Sequence, residues 1–407
     1  MKRSMRPERR RRIVAGSRKV RSADVPFDRR AAPIPQVPGQ RSPVAVPRVR
    51  DRRGAVAAWP YNRMWLPSSY GRDPRVEYEA LLERVTLWDV GCERALELIG
   101  PDAVALADYL LTRDVAGQPV GRCRHATACD ESGVILCEAL VLRLGDERVW
   151  ICHGPADLPL WARAIAQHTN HDVEVHEAAV SPLALQGPRA LDVMQALAPA
   201  VASMPRFAWA WASIADVDVL ISRTGFSGEF GYEVFAPDVE PARRVWQEVR
   251  RAADPFGVLV TPVNNDRAWE RGLTDIRYGD NLGINPFEVG LEHAVDLDKR
   301  TRFVGDEALR QISDGSRRRR HAMSFTIDGD DVPDQETFWP IEWPDGEHLG
   351  VVWHVGYSYA LDRHAGDALL DQPVEIGARL VLQSPSGPLI GTVVPRPLVA
   401  ESATERP

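Results

Sequence analysis

Ile221-Ser-Arg-Thr-Gly-Phe-Ser-Gly-Glu-Phe-Gly-Tyr-Glu-Val-Phe235 decides how the rest of this chain is read. Just before it, Val217, Val219 and Ile221 alternate with Asp216, Asp218 and Leu220, the period of a strand. Tyr232 to Phe235 predicts a second strand. Gly225, Gly228 and Gly231 lie between them, three residues apart. Glycine lets the backbone take positive φ and pass close to a ligand. Glu229 and Glu233 flank the last glycine. Two readings stand. These are solvated acids on a long hairpin loop, or carboxylates placed to accept two parallel N–H donors from a planar heterocycle.

Outside this stretch, 407 residues allow two or three domains with real cores. Hydrophobic residues make up 44% and charged residues 26%, the balance of a soluble globular protein. No apolar run is long enough for a membrane span, and no apolar segment follows the N-terminal arginines, so no secretory signal is expected. Cys92, Cys123, Cys129, Cys137 and Cys152 form no Cys-x-x-Cys pair, which suits reduced thiols in a cytoplasmic protein. No metal, nucleotide or phosphate motif is present. Residues 1–53 hold 17 Lys and Arg against 4 acids, so the remainder of this chain of net charge −7 is strongly acidic. The tail reads as a disordered basic arm, and the acidic body argues against nucleic acid as a partner.

Downstream of Tyr61, Glu77 to Leu87 has helical spacing, with Tyr78, Leu81, Leu82 and Val85 on one face. A strand is expected from Ala95 to Ile99, then a Gly-Pro start to a helix. The same order recurs at Val180 to Met194, which predicts two α+β halves of like build. Val134 to Leu144 is apolar except for Glu138 and Arg143. A carboxylate there is either an edge residue facing water or a catalytic group, because burying it unpaired is costly. His125, on the preceding strand, reads as a surface or packing histidine. Arg267 and Glu270 read as a helical i, i+3 ion pair. Strands are expected at His321 to Ile327, Leu349 to Val355, Arg379 to Gln383 and Leu389 to Pro395.

Arg223-Thr-Gly-Phe-Ser-Gly-Glu-Phe-Gly-Tyr-Glu233 resembles the Arg-Thr-Gly-Tyr-Thr-Gly-Glu-x-Gly-x-Glu segment of the folate-binding aminomethyltransferase family, the family of the glycine-cleavage T protein. Tyr61-Asn-Arg-Met-Trp-Leu-Pro67 and Val85-Thr-Leu-Trp-Asp-Val90, with Glu93-Arg94, are most similar to its dimethylsulfoniopropionate demethylase-like members. Asn285-Pro-Phe-Glu-Val-Gly-Leu291 and Phe303-Val-Gly-Asp-Glu-Ala-Leu309 match it as well.

The resemblance implies an α+β fold. Two related lobes at 54–312 would form a folate-binding core, and 318–407 a small C-terminal antiparallel β-barrel. It implies tetrahydrofolate as cofactor, with Glu233 holding the pterin ring and Glu229, Phe226 and Arg267 beside it. Glu138 falls where the family has a catalytic aspartate. Asn264 stands where the glycine-cleavage enzyme has an arginine. The implied function is a tetrahydrofolate-dependent methyltransferase, a demethylase acting on a small sulfonium or methoxy donor. Alternatives are the aminomethyltransferase of glycine cleavage, with a lipoyl carrier protein as partner, and a non-catalytic folate-binding regulator. An ether donor needs a proton on its leaving oxygen. No residue stands out in the sequence for that task, which favours a sulfonium.

Overall fold

The computed structural model describes residues 55–400 apart from 63, 238, 274–281 and 318. The expected basic arm at 1–53 lies outside the described residues, as do residues 401–407 of the expected barrel region. Among the described residues, no helix is long and apolar enough to cross a membrane.

A six-stranded sheet runs, in spatial order, Trp209–Ile214, Val217–Ser222, Gly231–Pro237, Val180–Gln186, Thr86–Asp89 and Leu259–Val260. Its pairs are antiparallel except the last, where Leu259–Val260 lies parallel to Thr86–Leu87. A five-stranded antiparallel sheet runs Cys123–Cys129, Ile135–Arg143, Arg148–His153, Arg94–Ile99 and Glu174–Glu177. The expected likeness of the halves is present. Arg94–Ile99 passes through Gly100-Pro101 into helix Ala103–Leu110, and Val180–Gln186 passes through Gly187-Pro188 into helix Ala190–Leu197. Each turn glycine has positive φ, 140° at Gly100 and 119° at Gly187. A Cβ at either would meet a backbone carbonyl, Asp172 O at 2.5 Å or Arg84 O at 2.7 Å.

Period-2 alternation gives each sheet an outer and an inner face. Val219, Ile221, Tyr232 and Val234 face outward to a core with Val193, Met194, Val245 and Val249 of the covering helices. Cys137, Ala139 and Val141 likewise face Leu106, Leu110 and Ala162. The residues between them in sequence point the other way. Leu142, Trp150 and Cys123 of one sheet pack against Leu220, Phe235 and Trp209 of the other. The two sheets therefore meet face to face, with helices on their outer sides. Glu138 shares the inner face with Leu140 and Leu142, and Glu233 shares it with Phe235.

The chain closes with a six-stranded antiparallel barrel, ordered His321–Ile327, Arg363–Leu370, His348–Ser358, Trp339–Glu342, Arg379–Ser384 and Gly387–Val394. The last strand pairs back on the first. Phe325, Trp339, Ile341 and Leu382 fill it. Trp339–Glu342 and Arg363–Leu370 go beyond the strands expected from the sequence.

One boundary differs from expectation. The helix predicted over Glu77 to Leu87 runs Pro74–Glu83. Pro74 opens it, and the Asp73 carboxylate accepts from Arg75 N at 2.9 Å. Thr86 and Leu87 instead form a strand between two neighbours of the sheet, where their burial exceeds what one helix face offers.

The glycine loop also takes its conformation for a reason the sequence does not display. Of its three glycines only Gly228 has positive φ, 68°. Gly225 and Gly231 are needed because the Gln186 side chain lies where their Cβ atoms would be, at 2.1 and 2.3 Å. Gln186 is fully buried. Its Nε2 donates to Thr224 O at 3.2 Å, and its Oε1 accepts from Ser227 Oγ at 2.8 Å. On the other side, Arg271 Nε and Nη2 donate to Gly228 O at 3.2 and 3.0 Å. Gly225→Ala should therefore cost about 1–3 kcal/mol through overpacking. Gln186→Ala in the same chain should recover part of that loss, because the two residues compete for one space. Denaturant titration of the two single variants and the double variant checks this, and strict additivity would show that the two sites do not interact.

Candidate active site

At the open end of the interface between the sheets, the inner-face residues turn from apolar to polar and enclose a cavity of about 340 Å³. Glu138 reaches it from one sheet and Glu233 from the other, while Phe226 and Glu229 reach it from the glycine loop. Four of the five site residues expected from the sequence therefore line one cavity. The fifth, Arg267, does not line it and acts through Glu229.

Glu233 sits at the foot of the loop. Its Oε2 accepts from Thr224 Oγ1 and, at 3.5 Å, from Ser222 Oγ. Burial raises its pKa, and the two hydroxyls oppose that rise. Glu93, in the turn after Thr86–Asp89, lines the same cavity. Burial, and then the charge of Glu233, push Glu93 up to about 8. The charge of Glu233 thus disfavours a second charge at Glu93 on the same wall.

Arg267 Nε and Nη2 both donate to Glu229 Oε1, at 2.9 and 2.7 Å, and hold that carboxylate in place. Arg267 Nη1 also reaches the Tyr78 hydroxyl at 3.2 Å and Glu270 Oε2 at 3.4 Å, so the expected i, i+3 pair is present. Glu270 is fully buried. Its Oε2 accepts from Tyr78 OH, and its Oε1 accepts from Ser358 Oγ at 2.7 Å and Ala360 N at 3.0 Å. One buried, fully hydrogen-bonded network thereby joins the first helix, the glycine loop and the barrel. Asn264 has a local task as well. Its Oδ1 caps the helix Asn265–Glu270 by accepting from Arg267 N at 2.8 Å.

Glu138 Oε2 lies 3.3 Å from His125 Nε2, and His125 Nδ1 lies 3.2 Å from His293 Nε2. All three side chains line the cavity. His125 is thus no packing histidine. It shares the inner face with Cys123, across from Leu140 in the paired strand. Burial, followed by His125, lowers the His293 pKa. His153, on the next strand, is pushed down to about 4 by burial. Tyr61 and Glu93, quoted above within family-like segments but given no role there, also line the cavity, as does His293. Alternation along Cys123–Cys129 could have put His125 on the inner face. Nothing local marks His293, which comes from a 3-10 turn far along the chain.

The family described as the GCVT N-terminal domain matches residues 49–299, more than half of the chain. A dimethylsulfoniopropionate demethylase from Ruegeria pomeroyi is 29% identical over 296 residues, 72% of this chain and 79% of that protein. An aminomethyltransferase from Thermotoga maritima is 28% identical over 324 residues, 78% of this chain and 87% of that protein. Another, from Anoxybacillus flavithermus, is 32% identical over 317 residues, 74% of this chain and 85% of that protein. In fold, the chain is similar to the glycine cleavage system aminomethyltransferase T from Bartonella henselae. The TM-score is 0.72 at 19% identity, over 86% of this chain and 96% of that one. The paired lobes, the terminal barrel and the extent of these matches agree, and the chain belongs to the GCVT N-terminal domain family and is an enzyme of that family.

Proposed function

We propose that the chain is a tetrahydrofolate-dependent one-carbon transferase, and within that class a demethylase that moves a methyl group from a small donor to tetrahydrofolate. The observation that carries this reading is the half-buried Glu233 carboxylate on the cavity wall, with Oε2 held by two hydroxyls. Its raised pKa expresses the cost of ionising it there. A ligand that presents two N–H donors side by side offsets that cost. The 2-amino group and N3–H of a pterin form such a pair. The cavity also has the size of small-molecule sites, roughly 300–1,000 Å³, and Tyr61, Phe226 and Phe230 give it aromatic surface.

Bound tetrahydrofolate supplies a nucleophilic nitrogen, N5. The chain's own residues do the remaining work. Glu233 orients the ring, and Arg267 fixes Glu229 beside it. The apolar inner faces exclude water from the donor, and Glu138 offers negative charge where the transferred carbon carries positive charge. Residues 54–312 form the folate-binding body in this reading, with the barrel at 318–407 against it. A cytoplasmic location belongs to the same reading.

A second reading, aminomethyl transfer with a lipoyl carrier protein as partner, draws on the aminomethyltransferase relatives, which are as similar as the demethylase. Against it, position 264 is a helix cap and offers no cation. Incubation with tetrahydrofolate and either sulfonium, methoxy or aminomethyl donors separates the two. Formation of 5-methyl-tetrahydrofolate supports demethylation, and 5,10-methylene-tetrahydrofolate supports the aminomethyl route.

Glu233→Gln should weaken tetrahydrofolate binding by about tenfold or more, the loss of an ionic partner to two donors. Pairing needs the ionised carboxylate, and burial raises its pKa. Wild-type affinity should therefore weaken as pH falls through that raised midpoint, and the variant should lose this dependence. Calorimetry across pH checks both points, and a variant binding within twofold of wild type would remove the assignment. Glu138→Gln keeps size and removes charge. Turnover should fall about 10²-fold or more with folate affinity little changed, the pattern of an interaction made mainly in the transition state. Unchanged turnover in single-turnover assays would reduce Glu138 to a scaffold residue.

A further inference from the structure

Glu93 brings to the cavity a carboxyl that the fold leaves unused. It sits in the turn after Thr86–Asp89, where its N–H donates to Val90 O at 2.8 Å. Register brings this turn toward Glu233. Glu233 lies opposite Ala184, and Ala184 opposite Trp88, so the chain leaves for the turn two strands away from Glu233. The Glu93 side chain is half-buried and lines the cavity. Among the described residues its carboxyl has no hydrogen-bond partner. A polar group drawn out of water without a partner costs free energy, unless a ligand completes it. Burial, and then the charge of Glu233, hold Glu93 in its protonated form at neutral pH.

The neighbouring groups leave that form in place. From Arg148–His153, Cys152 lies within electrostatic reach of both carboxyls, and burial holds its thiol well above the usual range. His153, beside it, is neutral as well, its pKa pushed down to about 4. Arg94, next to Glu93 in sequence, ion-pairs with Glu177. Arg206 and Arg223 line the cavity too. The Arg206 guanidinium lies over the Phe207 ring. That of Arg223 lies over Phe230, and its Nη1 donates to Gly231 O at 3.3 Å.

We propose that Glu93 is a second cofactor-binding residue, a protonated acid whose O–H donates to a ring acceptor of the pterin that Glu233 holds. This rests on the tetrahydrofolate reading and adds to it. An ionised Glu233 can only accept, whereas a protonated Glu93 has a hydrogen to give. The two N–H donors that suit Glu233 are flanked on the pterin by acceptors on both sides. N1 stands beside the 2-amino group, and the 4-oxo oxygen beside N3. A donor next to Glu233 therefore completes the match to this edge. A second carboxylate there would set lone pair against lone pair. Binding then calls for one carboxyl ionised and its neighbour protonated. Affinity is full below the Glu93 midpoint and falls as pH rises through it, and above the midpoint binding takes up one proton. The ionisation of Glu233 sets the opposite limb, at lower pH.

The test uses the full chain, as wild type, Glu93→Gln, Glu93→Ala and Glu233→Gln. Anaerobic calorimetry with tetrahydrofolate spans about two pH units either side of the Glu93 midpoint. Buffers of different ionisation enthalpy count the protons taken up. Wild-type affinity should fall about tenfold per pH unit above the midpoint, with uptake approaching one proton. Glu93→Gln keeps a donor and cannot titrate. Its affinity at neutral pH should stay within about threefold of wild type, with the high-pH fall and the proton uptake both gone. Glu93→Ala should bind about fivefold more weakly or worse at neutral pH. Carbon-13 NMR of the glutamate carboxyls reads the free chain. The signal missing from Glu93→Gln should titrate well above the ordinary carboxylate range, and lower in Glu233→Gln. A wild-type affinity with no high-pH fall would overturn the proposal. So would a fall that survives in Glu93→Gln, a Glu93→Ala affinity within twofold of wild type, or an ordinary Glu93 midpoint. In each of these cases weakened binding by Glu233→Gln leaves the folate reading standing. Absence of tetrahydrofolate binding by wild type at every pH removes that reading and this proposal together.

Discussion

The cavity depends on one buried amide. Gln186 ends the strand Val180–Gln186 and fills the space that Cβ atoms at 225 and 231 would need. Its two hydrogen bonds, to Thr224 O and from Ser227 Oγ, hold the loop from within. A buried amide without such partners costs free energy, so loop and amide stabilise each other. Thr224, which this contact places, is also the residue whose hydroxyl holds Glu233. The orientation of the cavity carboxylate thus follows from a residue that does not touch the cavity.

Around that contact the two sheets divide their labour by face. The outer faces are apolar against helices, and the inner faces are apolar only as far as Leu140 and Phe235. Beyond these the same alternation carries Glu138, His125 and Glu233. Polar groups enter the interior there because strand geometry delivers them to one side, and each titratable group meets either another such group or a hydroxyl. The Arg267–Glu270–Tyr78 network then fixes the rim of this region to the barrel.

The lobes, their likeness, the glycine loop and Glu138 are legible in the sequence because each is a local signal. A period-2 run interrupted by one acid, or a strand followed by Gly-Pro and a helix, needs no knowledge of distant residues. The histidine chain is illegible for the opposite reason. His125 and His293 are 168 residues apart and meet only through the packing of a 3-10 turn on a sheet edge. Glu93 sits in a turn whose neighbours say nothing of Glu233. The barrel strand Arg363–Leu370 is hidden by Gly366 and Asp367. Gly366 is required by the close approach of His354 O and the Phe325 ring, and the buried Asp367 accepts from Ser324 Oγ. Such tertiary demands override strand propensity.

The parallel pairing of Leu259–Val260 with Thr86–Leu87 bears on the order in which the chain assembles during synthesis. The five-stranded sheet draws all its strands from residues 94–177, so it can form once that continuous stretch has emerged from the ribosome. Thr86–Asp89 emerges earlier yet must wait for Val180–Gln186 and then for Leu259–Val260 before both its edges are paired. Closing so large an intervening loop is entropically slow, and an unpaired apolar strand is exposed to wrong partners meanwhile. The lobe that emerges complete is thus a template on which the split lobe closes, and the face between them is among the last surfaces to be sealed from water.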